Sequence, residues 1–334
     1  MPTLVGKEVG PLGYGLMGLT WRAKPVSQEQ ALEAMKAALD NGMNFWNGGD
    51  FYGSPEYNSL VLLERYFAKY PDDADKVVLS IKGGVGAIGK DPDGSPENTR
   101  RTLDTCIAQL KGRKKIDIFE FARRDQNVPM KTTFDVVQKE YIDTGKIGGL
   151  ALSEVRAETI HEAVKLIKVV SVEVELSLFS RHILEDGVAE ACAQYDIPVV
   201  AYSPIGRGWL SGQIRSIEDV QPHLRAWPWF QPGNFEANLA LARQVEALAT
   251  RKGVTPAQLA IAWTKRLSTW REGKGAVPKT IIPIPGATTV ERVVENAKAA
   301  EVEIGDEEMR SIDAMLDQFP RAGERYPDDI PTNT

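Results

Sequence analysis

The sequence predicts an α/β fold in which eight parallel strands close into a (β/α)8 barrel. Three observations lead there. Short β-branched or aromatic runs recur eight times along the 334 residues, helix-capping patterns separate them, and no G-x-G-x-x-G follows the first run. Strand–helix alternation implies parallel pairing with right-handed crossovers, and eight such units close on themselves. The pattern does occur, as GYGLMG (13–18) across the first run and GVGAIG (84–89) after the third, but not after the first run, where a doubly wound open sheet would carry it, and that placement counts against this alternative.

The first run is YGLMG (14–18). Ser27 with Gln30 three residues later forms a capping-box pattern; Ala31, Met35 and Leu39 then recur on one face, and Asn41-Gly42 ends the helix. The second and third runs are MNFWN (43–47) and KVVLSIK (76–82). Ser95 followed by Pro96 opens the next helix, with Leu103, Ile107 and Leu110 as its buried stripe. KIDIFEFA (115–122), GGLALS (148–153), VSVEVEL (170–176), IPVVAYS (197–203) and TIIPI (280–284) complete the set, and Thr255-Pro256 with Gln258 caps a late helix. The last two runs stand about 80 residues apart, where a whole βαβ unit takes about 30. That span holds SPIGRGWLSGQ (203–213), the cluster Trp227-Pro228-Trp229-Phe230 and two helical patterns. Three large aromatics argue against disorder, so the long loop after strand seven reads as a lid or cofactor-covering loop. No repeat, low-complexity tract or linker interrupts the pattern, and residues 1–334 read as a single domain.

Hydrophobic content of 43%, charged content of 26% and a net charge of −6 are those of an ordinary globular protein, and the charge argues against a nucleic-acid or anionic-membrane partner. Cys106 and Cys192 give no disulfide framework and fit a reducing compartment. No apolar run reaches membrane-spanning length, and the Gly-rich N-terminus lacks a signal-peptide core. The expectation is a cytoplasmic protein. His161, His182 and His223 lie without Cys or carboxylate at ligand spacing, so no metal is expected.

In a barrel the chemistry sits just beyond the C-terminal strand ends. That rule selects Asn47 and Tyr52 after strand two, Lys82 on strand three, Ala122 and Arg123 after strand four, and Ser153 and Glu154 after strand five. It also selects Glu173 on strand six, Tyr202 and Ser203 at the end of strand seven, and IPGATT after strand eight. FWNGGDFYG (45–53) reads as a βα turn whose two glycines free the backbone to swing Tyr52 over the site. A Lys ammonium beside a phenol lowers its pKa from about 10, which suits proton donation to a carbonyl oxygen. Thr288-Thr289-Val290-Glu291-Arg292 reads as a capped helix N-terminus, either an anion site reinforced by Arg292 or an ordinary cap with a solvated Arg. Trp21, Trp227 and Trp229 suit a pocket wall, and core packing suits Trp21 equally.

These segments resemble the aldo-keto reductases over roughly residues 10 to 318. GMNFWNGGDFYG is similar to the family's tyrosine segment and VVLSIKGG to its lysine strand; AYSPIGRGWLSG and IPGATTVERVVEN are similar to its cofactor segments. The resemblance implies a barrel that binds NADPH without a Rossmann motif and reduces a small-molecule carbonyl substrate. It implies Tyr52 as general acid, Lys82 as its partner and Tyr202 stacked on the nicotinamide. Ser153, Glu154 and Glu173 would face the carboxamide, the two glutamates standing where the family has Asn and Gln. Ser203, Pro204, Ile205, Gly206, Gly208 and Leu210 would wrap the pyrophosphate. Gly286, Thr288, Arg292, Glu295 and Asn296 would hold the adenosine end, with Arg292 on a 2′-phosphate.

Two departures stand out: the family's catalytic Asp falls on Asn47 and its His on Ala122. With FWNGG, SPEN and KYPDDADKVVLSIKGGV, they make the chain similar to the fungal pyridoxal reductase branch, which reduces pyridoxal to pyridoxine. Lys82 then needs another counter-ion, either Glu120, which shares a face with position 122, or Asp50. The lost His donor is replaced by the substrate's own hydroxyl beside its aldehyde, or by Arg123 or Arg124, of which at most one can point inward. A reductase of another carbonyl and an NADPH-binding regulatory subunit are the competing functions; the presence of both Tyr52 and Lys82 favours the enzyme.

Overall fold

All eight runs are strands in the computed structural model, which describes residues 1–86, 91–270, 272, 275–328, 330–332 and 334. They are β1 (Tyr14–Gly15), β2 (Phe45–Gly49), β3 (Val78–Gly83), β4 (Ile118–Phe121), β5 (Leu150–Ser153), β6 (Val169–Glu175), β7 (Val199–Tyr202) and β8 (Ile281–Pro283). Each lies parallel to the next, in sequence order. A parallel bridge between Gly15 and Gly286, with the Gly13 N–H donating to the Pro283 carbonyl at 2.9 Å, joins the last strand to the first and closes the barrel. A Cβ on Gly15 would stand 3.0 Å from the Ile284 carbonyl oxygen, so the seam needs glycine there. The first run is shorter than predicted: after Gly15 the chain turns, and Met17–Thr20 form one helical turn.

Helices α1 (Gln28–Asp40), α2 (Ser59–Lys69), α3 (Pro96–Gln109), α4 (Met130–Val136), α5 (Ala157–Ala163) and α6 (Val188–Gln194) alternate with the strands, then α7 (Pro232–Lys252), α8 (Pro256–Arg266), α9 (Val290–Ala297) and α10 (Asp306–Gln318) follow. Ser27 and Ser95 cap α1 and α3 as expected, and Thr255 with Gln258 forms a reciprocal box on α8. Gln30 does not complete the box on α1. Its amide donates instead to the Thr288 carbonyl at 2.7 Å, tying α1 to the loop after β8. Among the described residues no helix is long and apolar enough to cross a membrane.

Strand periodicity divides the barrel interior into two levels. The lower level is apolar: Phe45, Val78, Ile118, Ala151, Val200 and Ile282 pack together, with Leu4 of the N-terminal hairpin closing the bottom. Moving up each strand in steps of two gives Asn47, Lys82, Glu120, Ser153 and Tyr202, and Glu173 and Glu175 stand on β6. The same alternation that buries an apolar plug therefore delivers a ring of polar groups to the C-terminal mouth.

The long segment between β7 and β8 holds both predicted helices, α7 and α8. Its aromatics turn inward: Trp209 stacks on Phe230 at 5.1 Å and on Phe179 at 5.8 Å, and Trp229 is fully buried. A second segment, after α10, also reaches the barrel mouth, with Arg325 and Tyr326. Nothing in the sequence reading anticipated it. Arg325 and Thr334 are buried there, although they belong to a polar chain end.

Candidate active site

Tyr52 is held by a tight excursion after β2. Its backbone carbonyl accepts from the Thr20 hydroxyl at 2.6 Å, and its ring is 7% exposed. Gly48 and Gly49 belong to β2, and neither has a positive φ, so torsional freedom is not their role. Space is: a Cβ on Gly49 would lie 2.9 Å from the Tyr52 ring, so the missing side chain lets the ring settle on the strand end. The left-handed residue is Gly53, at φ +120°, where a Cβ would meet the Tyr57 carbonyl at 2.3 Å. Trp21 stacks on Tyr52 at 5.4 Å from the solvent side and is 41% exposed. Its place is the wall of the mouth, not the core.

Behind Tyr52 lies a buried polar cluster. β2, β3 and β4 are neighbours in register, Gly49 opposite Lys82 and Lys82 opposite Glu120. Lys82 forms an ion pair with Glu173 and lies 3.6 Å from Glu120. The Asn47 amide donates to both carboxylates, at 2.9 Å to Glu120 and 2.6 Å to Glu173. Burial works against the Lys82 ammonium, but Glu120 and Glu173 outweigh it and hold its pKa well above the ordinary lysine value. Burial and the neighbouring Glu173 push Glu120 far up. Burial raises the Tyr52 phenol as well; Lys82 opposes this but does not overcome it, so Tyr52 keeps its proton.

The expected counter-ion question is thus resolved in favour of glutamates. Asp50 is not one of them. Its backbone N–H continues the ladder to the Lys82 carbonyl, so its side chain faces out of the barrel and accepts from the Thr102 hydroxyl on α3 at 2.7 Å. Glu120 does face Lys82. Glu173, assigned from the resemblance to a carboxamide, is the residue in contact with the ammonium.

Glu154 is likewise occupied. Arg325 reaches it at 2.8 Å and Glu175 at 3.1 Å, while Arg207 holds Glu175 at 2.7 Å. Burial pushes the Glu154 carboxyl up, but Arg325, aided by Arg123, outweighs it and brings the pKa down to about 2. Arg207 lies between the Trp227 and Trp229 rings, 4.6 Å from each, and 4.3 Å from the Tyr326 ring. The Tyr202 hydroxyl donates to Glu154 at 2.9 Å and meets the Tyr326 hydroxyl at 2.7 Å. Three non-glycine residues of this mouth, Glu154, Ser203 and Arg207, hold positive φ (51°, 50° and 55°), the kind of backbone strain that gathers at functional sites. Sequence reasoning missed Arg207, Arg325 and Tyr326. The signal was the alternation Glu173-Val174-Glu175: two glutamates facing one interior require buried cations.

Removing Arg325 leaves Glu154 buried without its main partner, while Arg207 still covers Glu175. Arg325→Ala is therefore expected to cost about 2–3 kcal/mol by urea denaturation at pH 7. The Glu154 carboxyl is depressed in the folded state, so its contribution is present above the unfolded glutamate pKa, about 4.3, and is lost as pH falls toward 2. The difference between wild type and variant should shrink across that window; a difference that persisted undiminished at pH 2 would contradict the pairing.

The remaining predicted positions sit as follows. Ser153 Oγ is buried with no hydrogen-bond partner among the described residues. Ser203, Pro204, Ile205, Gly206, Gly208 and Leu210 form the loop after β7, which closes on itself through Gly206 N–H to the Ser203 carbonyl at 2.8 Å. Thr289 caps α9 by accepting from the Arg292 N–H at 3.3 Å, and Arg292 pairs with Glu295 at 2.8 Å while staying half-exposed. Asn296 lies on the buried side of this helix, and Gly286 is the closing bridge. Ala122 is buried, and Arg123 and Arg124 diverge as alternation requires: Arg123 toward Tyr326 and the Pro331 carbonyl, Arg124 toward Thr159 on α5. His161 meets Tyr195, and His182 meets Ser180.

A barrel with a buried Tyr–Lys pair at its C-terminal mouth, beside an orphaned serine hydroxyl and a capped helix after β8, has the site of a carbonyl oxidoreductase. The chain belongs to the aldo-keto reductase family: the Aldo/keto reductase family model matches residues 11–317. A Schizosaccharomyces pombe protein, "Probable pyridoxal reductase 2", is 40% identical over 98% of this chain and 97% of its own length. A Saccharomyces cerevisiae relative, also provisionally named a pyridoxal reductase, is 37% identical over 94% of this chain and 95% of its own. Among solved structures, a glycerol dehydrogenase from Gluconobacter oxydans aligns over 99% of this chain and 98% of its own with a TM-score of 0.82 at 22% identity, which is a likeness of fold.

Proposed function

We propose that this protein reduces an aldehyde with NADPH, and that pyridoxal is its preferred substrate. The observation that carries the reading is Tyr52, protonated, buried and set against the Lys82 cluster at the barrel mouth, in a chain of which two fungal relatives, matched over nearly their whole length, bear pyridoxal reductase names. The mouth fits a nicotinamide cofactor. Ser153 Oγ is a buried polar atom that still needs a partner, which a carboxamide supplies, and the α9 N-terminus with Arg292 suits a phosphate. When bound, the reduced nicotinamide supplies the hydride.

The chain's own residues supply the rest. Tyr52 gives its proton to the aldehyde oxygen. Lys82 favours the phenolate that this leaves behind. Trp21, lying on Tyr52, excludes water from the reacting face and offers a surface for a planar ring. Ala122 leaves room where a His donor would stand, so the substrate's own neighbouring hydroxyl polarises the carbonyl. The buried free thiols of Cys106 and Cys192 accord with a reducing compartment such as the cytoplasm.

Absorbance loss of NADPH, ranked by kcat/KM over a panel of aldehydes, tests the reading. Pyridoxal should lead, and its 3-deoxy analogue should fall by about 10²–10³-fold, the usual effect of losing one donor to a reacting oxygen. Equal values for the two would remove the substrate-assisted step, and NADPH binding without consumption by any aldehyde would remove the enzyme reading. Arg292→Ala tests the cofactor. Its half-exposed position puts the loss at the lower end for a charge-assisted bond, so NADPH affinity should weaken about tenfold. NADH affinity should hold; equal weakening of both would deny Arg292 a 2′-phosphate role.

A further inference from the structure

The cluster behind Tyr52 does not balance. It holds one ammonium, Lys82, and two carboxyl groups, Glu120 and Glu173, whose side chains are 6%, 2% and 3% exposed. Asn47, standing where the family pattern has an acid, adds no charge. Its amide spends itself on both carboxyl groups and so holds them facing each other across Lys82. With both ionised, this buried site would carry an uncompensated negative charge, which buried groups avoid by keeping a proton. Tyr52, to which Lys82 is electrostatically coupled, and the Tyr202 ring, 5.6 Å from the Lys82 nitrogen, also face the cluster; both are neutral phenols there.

We propose that Glu120 and Glu173 hold one proton between them and return it through Lys82 to Tyr52 after each reduction. The inference rests on the reductase reading above and adds what replaces the acid and the imidazole that this site lacks. The steps balance. The Tyr52 O–H bond breaks as the substrate O–H bond forms. An Nζ–H proton of Lys82 then passes to the Tyr52 oxygen, and the carboxyl proton of the glutamate pair passes to Nζ. One proton from the bulk solution, the proton each reduction consumes, then restores the pair, and the relay changes no oxidation state. Glu120 and Glu173 are positioning residues, since they act through Lys82. The push of Glu120 away from ionisation by burial and by Glu173 agrees with this arrangement.

Two measurements test it. Infrared spectra of the cofactor-free protein at neutral pH should show the carbonyl stretch of a buried carboxylic acid. The band should vanish in Glu120→Gln and equally in Glu173→Gln, because each variant leaves Lys82 one carboxylate that stays ionised. A wild-type spectrum without the band, or a band that survives both substitutions, overturns the shared proton whatever the enzyme's substrate. The second readout is kinetic. Tyr52 already holds the proton for the first turnover, so Glu120→Gln should leave the single-turnover rate with pyridoxal near wild type while lowering steady-state kcat at least about tenfold. The falling limb of kcat with rising pH should change with it. Equal loss in both regimes would assign Glu120 to structure alone, and no loss in either would deny the relay. Absence of turnover in the wild type itself would strike the reductase reading and leave the infrared result standing.

Discussion

Tyr52→Phe should lower kcat by roughly 10²–10⁴-fold, the range of a lost general acid, without changing NADPH affinity. The phenylalanine ring keeps the stacking on Trp21 and the contact with Gly49, so the fold around it should be undisturbed. What disappears is the protonated hydroxyl that burial holds ready beside Lys82 at the mouth. Stopped-flow absorbance with pyridoxal reads the chemical step, and fluorescence titration reads cofactor binding. A variant that reduced aldehydes at the wild-type rate would assign the proton to another group and dismantle the mechanism.

Lys82→Met should have the largest effect on stability. The substitution nearly preserves volume but leaves two facing carboxyl groups with only an amide between them, and removing one partner of such a buried cluster costs about 3–5 kcal/mol. The pH dependence has a defined sign. The folded-state pKa of Lys82 is raised, so its stabilisation is fully present below the unfolded lysine value, about 10.4, and is lost only above it. Without Lys82, which opposes the effect of burial and of Glu173, Glu120 is pushed further up. Carboxyl groups raised on folding lower stability as pH climbs from their unfolded value, about 4.3, toward the folded one. The gap between wild type and variant, measured by urea denaturation, should therefore widen from pH 5 to pH 8. A gap that did not change with pH would show that lost packing, not charge, sets the cost.

Much of this site was legible because strand periodicity is local. Once β2, β3 and β4 were placed, their C-terminal ends picked out Asn47 and Lys82, and alternation put Glu120 on the same face as position 122 and sent Arg123 and Arg124 in opposite directions. The caps of α1, α3 and α8 were equally legible, since each is an exchange within four residues, whereas the Glu291 spacing pointed to Thr288 at α9 and the cap is Thr289. The same local reading went astray where tertiary contacts competed for a side chain. Gln30 left its cap for the Thr288 carbonyl, Asp50 turned to Thr102, and Gly49 proved necessary for the room it gives Tyr52.

The sequence by itself determined the eight strands and the alternation along each, because these follow from spacings of two and of three to four residues, and the ends of neighbouring strands put Tyr52 beside Lys82. Only the tertiary structure decided which charges meet. Glu173 is 91 residues from Lys82 and Arg325 is 171 from Glu154, and no local pattern links either pair. Barrel closure brings β6 across from β3, and burial then forces each carboxylate to take whichever cation that closure delivers.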